Sequence, residues 1–340
     1  MAHRVILLES AASFEVGDGE AILEAAQRAG VALPHECTFG GCGTCRIKLA
    51  EGRVAYEEFP MALTEAEHAQ GYALACQARP LTDLVVTVPP RGPALPDPVR
   101  ITASLAGIRT ACDDVLHVTL TVPPGSLPAY LPGQYINILL PDGSTRSFSM
   151  ASPLRDDGSS IEFHIRRIPG GYFTDTVLRQ AQLGMPLEIE VPLGTFCYHE
   201  EDYRPLLMVA TGTGLAPIKA ILESLLDNPD CPPVTLYWGM RTEADLYMRD
   251  VIESWKGRLY EFEFVPVLSR ASASWQGRRG HVQDAVAEDF HDLSEHAIYL
   301  CGSPNMITEA KAVFATLGAS LDHMYADSFT FQHAMAAEQA

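Results

Sequence analysis

Three cysteines, Cys37, Cys42 and Cys45, fall in the spacing C-x4-C-x2-C, and a fourth, Cys76, follows after 30 intervening residues. Four thiolates hold two irons, two to each, and this is the spacing of plant-type [2Fe-2S] ligation. Gly40, Gly41 and Gly43 separate the first three thiols. Without side chains there, backbone N–H groups can approach the sulfur atoms and help set a cluster's potential. Structural zinc sites usually carry two short C-x2-4-C pairs, which this loop does not. Four unrelated buried thiols would not gather three of their number on one glycine-rich loop. Cys112, Cys197 and Cys231 stand alone and read as packed thiols.

Around that loop, 340 residues imply two or three domains, and 47% apolar with 20% charged residues is ordinary globular composition. Lys and Arg number 24 against 43 Asp and Glu, a formal charge of -19. That balance argues against nucleic acid or an anionic membrane as partner and for small molecules or proteins. No run approaches 18 apolar residues, and Met1-Ala2-His3-Arg4 leads straight into the strand-like VILLES. Neither a membrane span nor a secretory leader is expected. Eight cysteines are too sparse for a disulfide scaffold, so a reducing, cytoplasmic compartment is expected.

Five prolines and a glycine between Pro89 and Pro98 suggest an extended connector. The expected division is a domain over 1–90, a Pro-rich linker over 91–98, a second domain over 99–203 and a third over 204–340. The first has strands at Val5–Glu9, Phe14–Val16 and Leu84–Val88 and a helix over Glu20–Ala29, a small α+β module. In the second, ITASLAGIRT, LHVTLTV, YINILL, SFSMA, IEFHIRR and LEIEV read as six short strands, an all-β barrel. In the third, LLMVA, TLYWG, FEFVPVL and AIYLCG alternate with helices over Ala216–Leu226, Asp245–Trp255, Val282–Phe290 and Pro304–Leu317, an α/β domain with a parallel sheet.

Two stretches suit phosphates. Arg146-Ser147-Phe148-Ser149 lies on a barrel strand, and Gly170-Gly171-Tyr172-Phe173-Thr174 precedes a helical stretch, so a cation and a helix N-terminus are available together. The strand Leu206–Ala210 runs into Thr211-Gly212-Thr213-Gly214-Leu215-Ala216-Pro217 and then a helix, a glycine turn of the pattern GxGxxP. It is not the dinucleotide fingerprint GxGxxG, and no acidic residue follows at a strand end about 20 positions on. Gly239 and Arg241 at the next strand end, and Cys301-Gly302-Ser303-Pro304 at a later one, converge on the same crevice of an open parallel sheet.

PHECTFGGCGTC and ALACQ resemble the plant-type ferredoxin family over residues 1–90, which implies a β-grasp fold and Cys37, Cys42, Cys45 and Cys76 as cluster ligands. The Arg146–Ser149 segment resembles the flavin barrel of the ferredoxin-NADP reductase superfamily. That resemblance implies FAD, with Arg146 on the flavin phosphates, Phe148 on the isoalloxazine and Ser149 near N5. Many members have Tyr where this chain has Phe148. His164, Ile165 and Arg166 stand where FAD-type members place further contacts. GTGLAP, YWGMR and CGSP resemble the pyridine-nucleotide domain of the same superfamily, with Cys301 beside the nicotinamide and Phe329 near the flavin. Core packing would serve equally for Cys301 and Phe329. Ser269-Arg270 resembles the 2'-phosphate site of NADPH-using relatives; the reading is NADH, with NADPH as the alternative.

The order of the three segments resembles the reductase components of bacterial multicomponent aromatic-ring oxygenases and the CDP-6-deoxy-glucoseen reductases. Nicotinamide gives up two electrons together and a cluster takes one at a time, so a flavin must stand between them. The expected acceptor is a terminal oxygenase or an intermediary ferredoxin, with a PMP-dependent deoxysugar dehydratase as the alternative. A self-contained reductase of a small acceptor, and a binding module with vestigial cofactors, are the readings from other classes.

Overall fold

The computed structural model describes residues 2–35, 38–41, 43–88, 97–155 and 158–329. Cys37, Cys42 and the proline run 89–96 lie outside the described residues.

The first unit contains β1 (His3–Leu7), β2 (Ser13–Val16), α1 (Ile22–Arg28), β3 (Arg46–Glu51), β4 (Val54–Ala55), α2 (Glu65–Ala69), β5 (Tyr72–Leu74), β6 (Arg79–Pro80) and β7 (Leu84–Thr87). Its main sheet has the order β2-β1-β7-β3-β5, with β1 parallel to β7 and antiparallel to β2. Alternation along β1 and β7 buries Val5, Leu7, Leu84 and Val86 on one face, where α1 adds Ile22, Leu23, Ala25 and Ala26. The helix is shorter than the expected Glu20–Ala29. Glu20 is drawn off by Gly17 N–H at 2.7 Å, and the chain turns at Gly30 with φ +70°. Strand β3, RIKLAE, is not among the expected strands although residues 46–49 alternate polar and apolar; it pairs with β5 and β7.

The barrel consists of β8 (Val99–Cys112), β9 (Val115–Thr121), β10 (Tyr135–Leu139), β11 (Thr145–Ser149), β12 (Ser160–Arg166), α3 (Leu178–Gln180) and β13 (Pro186–Leu193). Its order is β11-β10-β13-β8-β9-β12, and the bridge Met150–Phe163 closes the ends. Inward residues such as Ile136, Ile138, Ile161, Phe163 and Ile189 fill it.

The third unit runs β14 (Leu206–Thr211), α4 (Leu215–Ser224), β15 (Val234–Met240), α5 (Arg249–Glu253), β16 (Glu263–Leu268), β17 (Arg278–Arg279), α6 (Val282–Asp289), β18 (Ala297–Gly302), α7 (Pro304–Thr316) and β19 (Met324–Ser328). All its strands are parallel, in the order β17-β16-β15-β14-β18-β19. The order reverses between β14 and β18, so the crevice for a ligand opens at Thr211 and Gly302. The expected helix Asp245–Trp255 starts late. Asp245 instead closes a turn by accepting from Thr242 N–H at 2.8 Å.

Two seams join the units. At the barrel, Lys219 of α4 donates to Ala151 O at 2.7 Å, and the Tyr247 hydroxyl lies 3.1 Å from His164 Nδ1. At the first unit, the Glu67 carboxylate is fully buried and takes both Arg46 and Lys311 at 3.0 Å. Burial alone would raise the Glu67 carboxyl, but Lys311, the Thr64 backbone and Arg46 together hold it below the ordinary carboxylate value. No helix among the described residues is long and apolar enough to cross a membrane.

Candidate functional site

Cys45 sits at the entry to β3 and Cys76 just beyond β5, 2% and 6% exposed, with their sulfurs 3.1 Å apart. The two sulfurs lie side by side, with Ala75 N–H donating to Cys45 O at 2.9 Å. Gly40 and Gly43 adopt φ +79° and +82°, and a Cβ at Gly40 would come within 2.7 Å of Pro60 Cβ. Two adjacent buried thiols under a glycine loop that excludes side chains suit a thiolate-ligated cluster. Burial, then the two sulfurs, pushes the nearby Tyr56 hydroxyl up to about 12.

In the barrel, β11 pairs with β10 so that Ser149 lies opposite Tyr135 and Arg146 opposite Ile138. Arg146 donates to Thr145 O at 2.7 Å and Ser147 to Asn137 Oδ1 at 2.7 Å. Phe148 meets Phe173 with ring centroids 5.5 Å apart. The Ser149 hydroxyl donates to Asp327 Oδ2 at 3.5 Å. A guanidinium at one end of a short strand and a hydroxyl at the other suit a flavin's phosphates and ring.

The Gly170–Thr174 stretch opens a π-type turn over Tyr172–Val177 and three α residues rather than a regular helix. Its Gly170 N–H is taken by Asp175 at 3.0 Å and Ile168 N–H by Thr174 Oγ1 at 3.0 Å. His164 is buried opposite His117, and its Nε2 has no partner among the described residues. Burial, reinforced by Lys219 and His117, depresses its pKa to about 3, so it is neutral. Ile165 belongs to the barrel core. Arg166 pairs with Asp114 at 2.7 Å, and a Cβ on Gly212 would lie 3.7 Å from its Nη1. Arg241 also faces Asp114, at 3.7 Å. One carboxylate on the β8–β9 hairpin therefore gathers a cation from the barrel and another from the third unit.

In the third unit, Gly214 approaches Cys301 so closely that a Cβ would sit 2.2 Å from Cys301 O. Gly302, at φ +153°, leaves 2.1 Å between a hypothetical Cβ and Thr211 Oγ1. Thr213 completes the turn, Pro217 is buried in the first turn of α4, and Gly239 pairs with Thr211 across β15. Ser303 caps α7 by accepting from Met306 N–H at 3.4 Å, with Pro304 at its first position. These bare strand ends suit a dinucleotide lying across the switch point. Ser269 and Arg270 are tied by backbone to Met240 O and Arg241 O at 3.0 and 2.8 Å. Arg278 and Arg279 are committed to Glu288 and to loop carbonyls, whereas the Arg270 guanidinium is exposed with no partner among the described residues.

Cys301 is completely buried, and burial followed by Asp327 raises its thiol well above the ordinary value. Phe329 donates its N–H to Gly302 O at 2.8 Å, which holds this residue beside the strand end at the crevice. Burial pushes Asp327 up to about 6 against the pull of Ser149. One cleft is lined by Thr44, Gly133, Tyr135, Thr195 and Asp327, among others. It brings Thr44, next to Cys45 in the chain, beside Asp327, the partner of Ser149 at the end of β11. Asp327, Asp114 and Lys219 carried no role in the sequence reading. Lys219 had a signal, as the one charge in the apolar run LAPIKAIL. Asp114 and Asp327 had none, because only folding sets them opposite their partners.

Three families match in series: the 2Fe-2S iron-sulfur cluster binding domain over residues 5–81, the oxidoreductase FAD-binding domain over 102–198 and the oxidoreductase NAD-binding domain over 208–312. The chain is 32% identical to terephthalate 1,2-dioxygenase, reductase component 1, of Comamonas sp., covering 97% of this chain and 98% of that one. It is 33% identical to a CDP-6-deoxy-L-threo-D-glycero-4-hexulose-3-dehydrase reductase of Yersinia pseudotuberculosis, covering 97% and 99%. Among solved structures, an Amycolatopsis cytochrome P450 reductase superposes with a TM-score of 0.71 at 31% identity, covering 97% and 99%.

Proposed function

The chain belongs to the iron-sulfur flavoprotein reductases that join a 2Fe-2S domain, an FAD-binding domain and an NAD-binding domain, and from that premise we propose that it supplies electrons to the terminal oxygenase of an aromatic-ring hydroxylating system. It is an NAD(P)H-dependent oxidoreductase with FAD and a [2Fe-2S] cluster as cofactors. Held by Arg146, Phe148 and Ser149, a flavin would supply the exchange between two-electron and one-electron chemistry that links nicotinamide to a cluster.

The residues of the chain bind and align. Gly214 and Gly302 clear the strand ends for the dinucleotide, Lys219 holds α4 to the barrel, and Ser149 donates to Asp327. Cys45 and Cys76, with Cys37 and Cys42 proposed as the other two ligands, hold the irons. The observation that carries the reading is the shared cleft, where Thr44 of the cluster loop meets Asp327. We place the chain in the bacterial cytoplasm, where Cys112, Cys197, Cys231 and Cys301 stay reduced.

The test is NADH-driven turnover with a purified terminal oxygenase, using the native chain and Cys76→Ser. The native chain should support turnover, and the variant should keep flavin bleaching by NADH while losing both the cluster's EPR signal and partner turnover. Turnover only with a sugar dehydrase would move the assignment to the second class of relative, which matches at 33% identity against 32%.

A further inference from the structure

The seam between the cluster unit and the nucleotide unit is built around one carboxylate whose two oxygens have separate duties. Glu67 Oε2 accepts from Thr64 N–H at 2.7 Å and from the Thr64 hydroxyl at 3.0 Å, which fixes the side chain to its own helix α2. Glu67 Oε1 takes Arg46 Nη1 and Lys311 Nζ, each at 3.0 Å. Lys311 lies on α7 of the nucleotide unit and is almost wholly buried, and Arg46 follows the cluster ligand Cys45 directly in the chain. The other end of the Arg46 guanidinium donates to Leu321 O at 3.0 Å, and the Tyr72 hydroxyl bonds Asp322. Leu321 and Asp322 lead into β19, the strand that sets Asp327 against Ser149. A continuous set of contacts therefore runs from a cluster ligand to the flavin-side strand.

Apolar contact between two domains tolerates sliding, whereas a buried carboxylate pinned by its own helix accepts cations in one place only. Buried ion pairs add little net stability over apolar packing, so their presence in a domain seam points to register.

We propose that Glu67, with Arg46 and Lys311, is an intramolecular latch that sets the cluster unit in its electron-receiving pose. This inference rests on the electron-relay reading above. The three are positioning residues, since none touches a cofactor-binding side chain except through the chain itself.

The test uses the full chain loaded with both cofactors. Glu67→Gln keeps the side-chain length and an acceptor for Thr64 but leaves the buried Lys311 and the half-buried Arg46 without a counter-charge. Flavin bleaching by NADH should stay within about twofold of native. Cluster reduction should slow about tenfold or more, because its rate scales with the fraction of molecules in the docked pose. In the oxidised protein before NADH is added, amide hydrogen exchange over residues 61–72 and 321–328 should quicken. Adding Lys311→Met to Glu67→Gln removes the stranded cation without restoring the latch, so both signals should stay as changed as in Glu67→Gln; their return to native values would overturn the proposal in favour of a stranded charge.

An unchanged exchange pattern, or an unchanged rate of cluster reduction, in a correctly loaded Glu67→Gln protein overturns the latch. Where that variant loses a cofactor, Tyr72→Phe decides, with smaller changes in the same directions expected and no change overturning the proposal. A native cluster that NADH fails to reduce would instead refute the relay itself.

Discussion

Asp327 and His164 show how burial acts on opposite charge types near one site. Desolvation raises the acid to about 6 and lowers the base to about 3, so both favour their neutral forms. For Asp327 the folded state holds its proton more tightly than the unfolded chain. Its contribution to stability is therefore greatest at low pH and declines as pH rises from 3.8 to about 6. His164 works the other way, costing stability as pH falls from 6.5 toward about 3. Infrared difference spectra between the native chain and Asp327→Asn should show a protonated carboxyl band that titrates near pH 6. A carboxyl already ionised at pH 4.5 would show that water reaches Asp327 freely. Cys301, by contrast, is completely buried at its strand end, and that burial raises its thiol well above the ordinary value.

At the scale of elements, the nucleotide crevice depends on how closely β14 and β18 approach at their carboxyl ends. Gly214 and Gly302 are the two positions where a methyl group would meet a neighbour at 2.2 and 2.1 Å. At Gly214 the obstacle is the Cys301 carbonyl, which cannot rotate away. Gly214→Ala should push the glycine turn off the strand end, costing about 1–3 kcal/mol. The KM for NADH should rise about tenfold, equivalent to about 1.4 kcal/mol. Steady-state kinetics with NADH would check this, and an unchanged KM would mean that the turn can shift without disturbing the dinucleotide. The GxGxxP pattern was legible in the sequence because glycines after an apolar strand have few other uses. The role of Gly302 was less so, since its partner Thr211 is 91 residues away and only the parallel pairing of β14 with β18 brings them together.

For the whole molecule, charge decides how a partner is met. The formal charge is -19, and residues 1–90 carry 6 Lys and Arg against 12 Asp and Glu. A basic partner surface would be steered toward such a unit, and salt would screen that attraction. Raising ionic strength from about 0.05 to about 0.5 M should lower kcat/KM for the oxygenase several-fold, because the Debye length falls below the spacing of exposed charges. Flavin bleaching by NADH, measured beside it, should change far less. Turnover that is insensitive to salt would indicate an apolar docking face instead.

The order of the three units, the character of each and the cofactors they take were determined by sequence alone. The reason is that each rests on local signals: a cysteine spacing, period-two strands closed by turns, and glycine turns between apolar strands and helices. Strand β3 had a local signal too, the alternation over residues 46–49, but its place between β5 and β7 is set only by the pairing of the sheet. The pairing of Asp114 with Arg166 and Arg241, the facing of Ser149 and Asp327, and the gathering of Arg46 and Lys311 on Glu67 were decided only by tertiary structure. Glu67 and Lys311 are 244 residues apart, and an isolated charge in either helix looks like any solvated side chain. A charge becomes informative only when folding removes water from it and leaves one partner in reach.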